Sequence, residues 1–526
     1  MLKFWRNPEF VRHLRSELRP ARAITLAVVV LFVCAMIGLA CWSQRQQVLA
    51  NAEYNAQRYG GLWAEQAERI RQDNPRQMWL QICQWLFGSQ CVLLAFWSTY
   101  MCAQSIWRER DRKTWDFQRT TSLTPAELAV GKLFGEPVLA YFAVLCVLPI
   151  TLWATLAANL SVWNFLAGYI CVLAASLFLG LCGLWLSILL ESRSGGVGMI
   201  GALGLYGVVL ATYGFADSWF PGLAAFSPLS GLHTILGIDF DGHPAARPML
   251  FGHCIPWSVM SLLLYGSFGS WITVMLLRNL KRDFSEIRLL SRWQAVGCAA
   301  FLNFVFYALF RPGTTLLKAD TLATFMVGIN GFILFAIGLA SLTPLERLKV
   351  WWRGRIEGVG GIFSEDGLPW PWLVLSAGVA YALMVWGLLA WRYGLDFHPG
   401  ALRTAALQLL GITVFVTRDI LFVQWCTLTR FRQPVLKAFL FLCLYYGSAL
   451  VIVGICSIWG DPAAANAMSL LTPAGMLDTR FEWGGFSSAI YVYGGLALQA
   501  GVIGMILLAI SHKLGRPTLV AAVSEG

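Results

Sequence analysis

Twelve apolar stretches, each about 17 to 28 residues long, punctuate the chain at about 23–42, 79–103, 133–157, 163–190, 197–213, 256–277, 293–310, 321–342, 372–391, 405–428, 438–459 and 488–511. Runs of this length match the hydrocarbon thickness of a bilayer when helical. With a mean hydropathy of +0.62 and 24 tryptophans in 526 residues, lipid is the principal solvent. The chain therefore reads as an all-α polytopic membrane protein with about 12 transmembrane helices. The net charge of +11 would suggest nucleic acid in a soluble protein. Here basic residues are expected in cytoplasmic loops, and no basic stripe interleaved with aromatics stands outside the apolar runs, so nucleic acid is excluded as a partner. Of the 13 cysteines, all but Cys254 lie in or near apolar segments, without Cys-x-x-Cys or zinc spacing, which leaves no metal site among them.

Orientation follows from charge. The segments assigned to the inner side hold Lys3, Arg6, Arg12, Arg15, Arg19 and Arg22 at the N-terminus and 27 Lys and Arg in all; the outer ones hold 11, and Arg418 sits within a span. Both termini are then cytoplasmic. Asn7-Pro8-Glu9 has the form of a helix start, and Phe10, Val11, Leu14 and Leu18 share one face at helical period. Residues 1–22 thus form a cytoplasmic interfacial helix. The mixed-charge segment 43–78 is expected as an external helical excursion. The span at 197–213 is short and glycine-rich.

Two echoes suggest a duplication. Ser122-Leu-Thr-Pro-Ala-Glu127 returns as Ser341-Leu-Thr-Pro-Leu-Glu346, and Ser227-Pro-Leu-Ser-Gly-Leu-His-Thr234 returns, loosely, as Thr472-Pro-Ala-Gly-Met-Leu-Asp-Thr479. Each pair falls at equivalent places in a six-plus-six topology. Both Thr-Pro-x-Glu copies have capping-box form, with the Thr hydroxyl and the Glu carboxylate serving each other's backbone N–H groups.

The first copy follows the most polar stretch of the protein. Ten charged residues lie between Arg108 and Lys132, eight of them before Thr120, with Trp115 and Phe117 embedded among them. Such a cluster cannot lie in a bilayer, where each charge costs about 2.5 to 3.5 kcal/mol. Aromatics ringed by charge suit docking to a partner, as an alternative to a merely solvated loop.

This stretch, Glu109-Arg-Asp-Arg-Lys-Thr-Trp-Asp-Phe117 followed by Thr120-Thr-Ser-Leu-Thr-Pro-Ala-Glu-Leu128 and Gly131-Lys132, resembles the first cytoplasmic loop of ATP-binding-cassette type-2 exporter permeases. Lys113 stands where that family usually carries glycine, and the loop's proline is displaced to Pro125. The resemblance implies that 23–290 is a six-helix permease unit with a coupling loop at 104–132, and it reaches 291–526 as a second such unit only through the repeat. It also implies a cytoplasmic ABC ATPase as partner, a bacterial inner-membrane location and export as the activity. Arg108, Glu109, Asp111, Thr114, Trp115, Asp116, Phe117, Thr124, Pro125 and Glu127 would couple to the ATPase, with Trp115 and Phe117 as anchors and Arg108, Glu109, Asp111 and Asp116 as a polar rim. Thr343, Pro344, Glu346 and Arg347 are weaker counterparts in the second half. The pathway would be formed by one chain as a pseudo-dimer or by a homodimer, among membrane lipids.

No Gly-x-x-x-x-Gly-Lys-Ser/Thr occurs, since Gly131-Lys132 is preceded five residues earlier by Ala126 and followed by leucine. The chain is expected to bind no cofactor; ATP and Mg belong to the partner. Glu136, Arg418 and Asp419 are charges within spans and hence functional candidates. Arg418 and Asp419 project about 100° apart on a helix and are expected to meet other helices rather than each other. Asp239, Asp241, His243 and His253 read as a solvated outer loop, and Trp219–Phe226 as a re-entrant or interfacial helix. The substrate class suggested by the apolar, Trp-rich spans is lipidic or amphiphilic. Two other readings stay open: an integral-membrane transferase acting on lipid-linked substrates, and a non-transporting membrane anchor of a cytoplasmic complex.

Overall fold

The structure, a computed structural model, describes residues 7–189, 195–215, 220–237, 247–282, 290–310, 317–359, 361–391, 395–396, 400–429, 434–458, 472–473 and 486–515. Apart from two pairs of two-residue strands, Met249–Leu250 with His253–Cys254 and Leu317–Lys318 with Leu395–Asp396, its regular elements are helical. Nine helices among the described residues are long and apolar enough to cross a membrane, so the chain is an all-α polytopic membrane protein. It divides into two compact units, 1–289 with 309–311, and 290–308 with 312–526.

In the first unit, α1 (Pro8–Glu17) precedes two very long helices, α2 (Pro20–Tyr59) and α3 (Leu62–Asp111). At 1.5 Å per residue these are about 60 and 75 Å long, roughly twice a bilayer core. The segment 43–78 is accordingly the far end of a helical hairpin. Its turn falls at Gly60 and Gly61, with φ of +57° and +50°, a backbone region that glycine adopts freely. At the other end of α3 come α4 (Trp115–Thr120), α5 (Pro125–Gly135) and α6 (Val138–Ala157). The expected span 133–157 is thus broken. Pro137 lacks the N–H a continuous helix would need, and α5 ends at Gly135. Next are α7 (Val162–Leu189), α8 (Gly195–Ala211), α9 (Ser230–Leu236) and α10 (Trp257–Asn279).

The unit is held by a seam of small residues between α3 and α7, because apolar burial gives little drive between helices in lipid. A Cβ at Gly183 would come within 2.5 Å of the Thr99 carbonyl oxygen, and the Ser98 and Ser176 hydroxyls meet at 2.6 Å. Between α8 and α10 the backbone turns through a buried 3-10 helix, Pro221–Phe226, before α9. The Tyr265 hydroxyl donates to the carbonyls of Phe226 and Ser227 at 3.0 and 3.2 Å. Asp239, Asp241 and His243 lie outside the described residues; His253 is exposed on its short strand.

The second unit contains α11 (Arg292–Leu309), α12 (Ala319–Ala340), α13 (Leu345–Ile356), α14 (Trp370–Ala390), α15 (Gly400–Thr427), α16 (Pro434–Ile458) and α17 (Phe486–Leu514). Three polar pins fasten it. Asn303 and Asn330 exchange amide hydrogen bonds of 2.8 Å between α11 and α12. Arg292 donates to the carbonyls of Ser341, Gly367 and Leu368 and to Thr343 Oγ1.

The third pin corrects the expectation for Arg418 and Asp419. Arg418 donates to Asp419 Oδ1 from Nε and Nη2, at 2.9 and 2.6 Å, and to the Tyr445, Tyr446 and Gln499 side chains. The flexible Arg stem spans the angle between neighbours on the helix. All five guanidinium N–H donors are used, and Tyr446 donates to Asp419 Oδ2. One node therefore ties α15 to α16 and α17.

Arg418→Ala should leave the buried Asp419 without its cation and lower stability by about 3 to 5 kcal/mol. The double substitution Arg418→Met, Asp419→Leu should recover most of that loss, as read by thermal unfolding in detergent. A single variant no less stable than the double would contradict this account.

Candidate functional site

The charged stretch folds around a buried ion cluster rather than into an open loop. Lys132, on α5, has no solvent exposure, and its ammonium lies 2.7 Å from Glu109 Oε2 and 3.5 Å from Glu9 Oε1. Arg12 Nη2 bridges the same two acids, 2.8 Å from Glu9 Oε1 and 2.9 Å from Glu109 Oε1. Gln118 donates to Glu109 Oε1 at 2.7 Å. Arg108 pairs with Glu136, whose Oε1 is 3.8 Å from His13 Nε2. Three carboxylates thus face Lys132, Arg12 and Arg108, with His13 between them.

Local sequence explains why α1 can join this cluster. Asn7 caps α1, accepting from the N–H groups of Glu9 and Phe10 at 3.0 and 3.4 Å, and donates to the Glu127 carbonyl at 2.7 Å. On α5, Gly131 and Gly135 lie one turn apart on the face that receives α1. A Cβ at Gly131 would fall 2.7 Å from Glu9 Cβ, and one at Gly135 would fall 2.9 Å from His13 Cβ. The close approach requires glycine at both positions. Burial alone would raise the Glu9 carboxyl's pKa, yet the hydrogen bond from His13 and the charges of Lys132, Arg12 and His13 hold it at about 2.

The sequence-derived site residues part into two groups. Trp115, expected as an exposed anchor, is buried among Ile106, Leu128, Leu133 and Leu184, with the Lys132 ammonium 5.7 Å from its ring centre. Residues 115 and 118 share one face of the single turn of α4, so both point inward. Glu109, expected on the rim, is buried, and Arg108 is taken up by Glu136. Phe117 is 74% exposed, and Asp111, Thr114 and Asp116 are exposed beside it. Glu136 caps the end of α5 and belongs to the cluster instead of lying within a span.

Thr124, Pro125 and Glu127 start α5 with a full capping box: Thr124 Oγ1 accepts from the Glu127 N–H at 3.2 Å and the Glu127 carboxylate accepts from the Thr124 N–H at 2.9 Å. These hydrogen bonds lower the Glu127 pKa. The second copy does not form a capping box. Thr343 is buried, its hydroxyl occupied by Arg292 and the Gly367 carbonyl. Pro344 and Glu346 are exposed, and Arg347 is half-buried.

Lys113 has φ +57°, the left-handed region that favours glycine. It turns the chain between α3 and α4, where the Thr114 N–H donates to the Glu109 carbonyl at 2.9 Å. The contributions of Glu9, Arg12, His13 and Gln118 were not legible from the motif. The available signals were Glu9 and His13 one turn apart in a basic segment, and the Gly-x-x-x-Gly of 131–135. Among the described residues no cluster of His, Cys, Asp or Glu could hold a metal ion.

Gly131→Leu should displace α1 and raise amide exchange over residues 8–17 by about tenfold or more, leaving α7 unchanged. Unchanged exchange in α1 would contradict the packing described. Because the Glu9 pKa is about 2 against an ordinary 4.5, docked α1 binds fewer protons than free α1. Its attachment is complete above about pH 4.5 and weakens as pH falls from there towards 2. Exchange in α1, corrected for intrinsic rate, should rise as pH falls below about 4.5; Glu9→Gln should abolish that rise.

Residues 2–232, which contain the whole ion cluster, match the family of the ABC-2 type transporter. No curated protein and no solved structure matches the chain. The matched part of this membrane protein is therefore similar to the ABC-2 type transporter family, over somewhat less than half of the chain.

Proposed function

We propose that the chain is the permease subunit of an ATP-driven exporter, and that a separate cytoplasmic ATPase docks on α4. The observation that carries this reading is the two-sided character of α4. Its Phe117 and Asp116 face solvent, while Trp115 and Gln118 fasten it to the cluster formed with α1, α3 and α5. Motion imposed on Phe117 is thereby passed to three helices at once, and through Glu136 to the start of α6. The Lys and Arg excess of 27 against 11 supports a cytoplasmic position for this face and for both termini. In the absence of a P-loop, the ATP and Mg would be held by the partner.

In each unit two long helices are followed by short ones, α4 and α5 in the first and α13 in the second, and then by further long helices, which supports a duplicated permease of about twelve spans. Coupling then rests on the first unit, because Thr343 is occupied within the second. The substrate class we assign is lipidic or amphiphilic, on the strength of the apolar, Trp-rich spans.

Purification of the full chain from its native membrane in mild detergent should bring down an ATPase. Phe117→Ala should lower its recovery about tenfold or more, as for an exposed aromatic hot spot. Trp115→Ala should instead reduce the amount of folded permease. An ATPase absent from the complex, or one whose binding and rate ignore Phe117→Ala, would overturn the proposal.

A further inference from the structure

Between α2, α3 and α6 lies a cavity of about 510 Å³ whose lining is almost wholly apolar, from Leu26, Val33 and Ile37 on α2 to Leu93 on α3 and Ala143 on α6. Its two polar residues are turned inward. Gln90 donates to the Leu86 carbonyl and Thr151 and accepts from Tyr169, and Ser89 donates to the Leu86 carbonyl. A second hollow of about 430 Å³ shares Leu26, Val29 and Leu139 and continues to Ala21, Arg22 and Thr25. Together they form one groove along α2 that opens at Arg22.

The length and polarity of the groove select an occupant. From Leu26 to Ile37 the helix rises about 16 Å, close to one leaflet's half of the roughly 30 Å hydrocarbon core. Arg22 lies about 6 Å beyond Leu26, at headgroup depth. Its side chain is 59% exposed and is met by Glu17 at 3.3 Å. A solvent-exposed pair of this kind is weak, and the guanidinium keeps donors for a phosphate. An empty apolar groove at this depth would forfeit dispersion contacts along its whole lining.

We propose that one acyl chain of an anionic phospholipid fills this groove, with its phosphate at Arg22. The lipid is a resident wedge between α2 and the α3–α6 pair, independent of ATPase docking on α4. A neutral lipid fits the apolar part equally well, so the preference for an anionic headgroup resides in Arg22.

The test uses the full chain in phosphatidylcholine nanodiscs containing a trace of diazirine-acyl phosphatidylglycerol or, separately, diazirine-acyl phosphatidylcholine. Irradiation should label the peptides carrying Val33 and Ala143 several-fold more than the exposed α7 positions Leu166 and Ile170, with phosphatidylglycerol ahead. Arg22→Gln, an exposed substitution, should lower groove labelling by phosphatidylglycerol about fivefold, to the phosphatidylcholine level. Ala143→Trp should remove groove labelling by both lipids and spare α7. Labelling no greater than on α7, equal labelling by the two lipids with no effect of Arg22→Gln, or a crosslink from Val33 to a second copy would overturn it.

Discussion

A lysine with no exposure to water fixes the architecture of the first unit. Removing Lys132 from solvent costs several kcal/mol unless opposite charge and hydrogen bonds replace the lost hydration. Glu109 alone, shared with Arg12 and Gln118, would leave the site uneven, and Glu9 completes it. That requirement brings α1 from a separate segment onto α5, and the missing side chains of Gly131 and Gly135 make the approach geometrically feasible. The N-terminal helix is therefore part of the bundle's electrostatics. Its buried side contains Glu9 as well as Phe10, unlike a helix that only floats its apolar face on lipid.

The second unit solves a similar problem differently. Its Arg418 uses all five guanidinium donors on internal partners, and the buried Arg292 donates to four acceptors, so both act as pins between helices or loops. In the first unit the charges of the cluster are paired on its inner side, yet α4 carries an exposed Phe117 and Asp116 beside it. The contrast between Thr124, which caps a helix at the surface, and Thr343, which is absorbed by Arg292, shows how two copies of one short motif acquire different surroundings.

Much of the fold was legible because lipid imposes a strong pattern: nine of the twelve apolar stretches hold a helix that is, among the described residues, long and apolar enough to cross a membrane, while those at 197–213, 293–310 and 438–459 are helical without meeting that measure. The break at Glu136–Pro137 was hidden by apolar residues on both sides, which hydropathy cannot divide. The direction of Trp115 was also hidden. A charged segment gives no periodic signal over six residues, and only the burial of Lys132 decides which aromatic turns inward. Long-range charge pairing, such as Glu9 with Lys132, leaves no trace in local spacing. Arg418 with Asp419 was misjudged because ideal helix geometry ignores the reach of an arginine stem.

A helix of six residues has no stability of its own, since nucleation alone outweighs what one turn of hydrogen bonds returns. The conformation of α4 is thus maintained by Trp115, by Gln118 on Glu109, and by the left-handed turn at Lys113. Lys113 adopts a backbone that costs a non-glycine residue about 1 kcal/mol or more, so the turn persists only while its surroundings hold it. Any partner that binds the exposed face of α4 consequently binds a shape that the cluster maintains. By linkage, such a partner must stabilise the cluster by the same free energy with which the cluster favours its binding. The Glu9, Glu109 and Lys132 contacts are then where docking and the disposition of α1, α3 and α5 become one equilibrium.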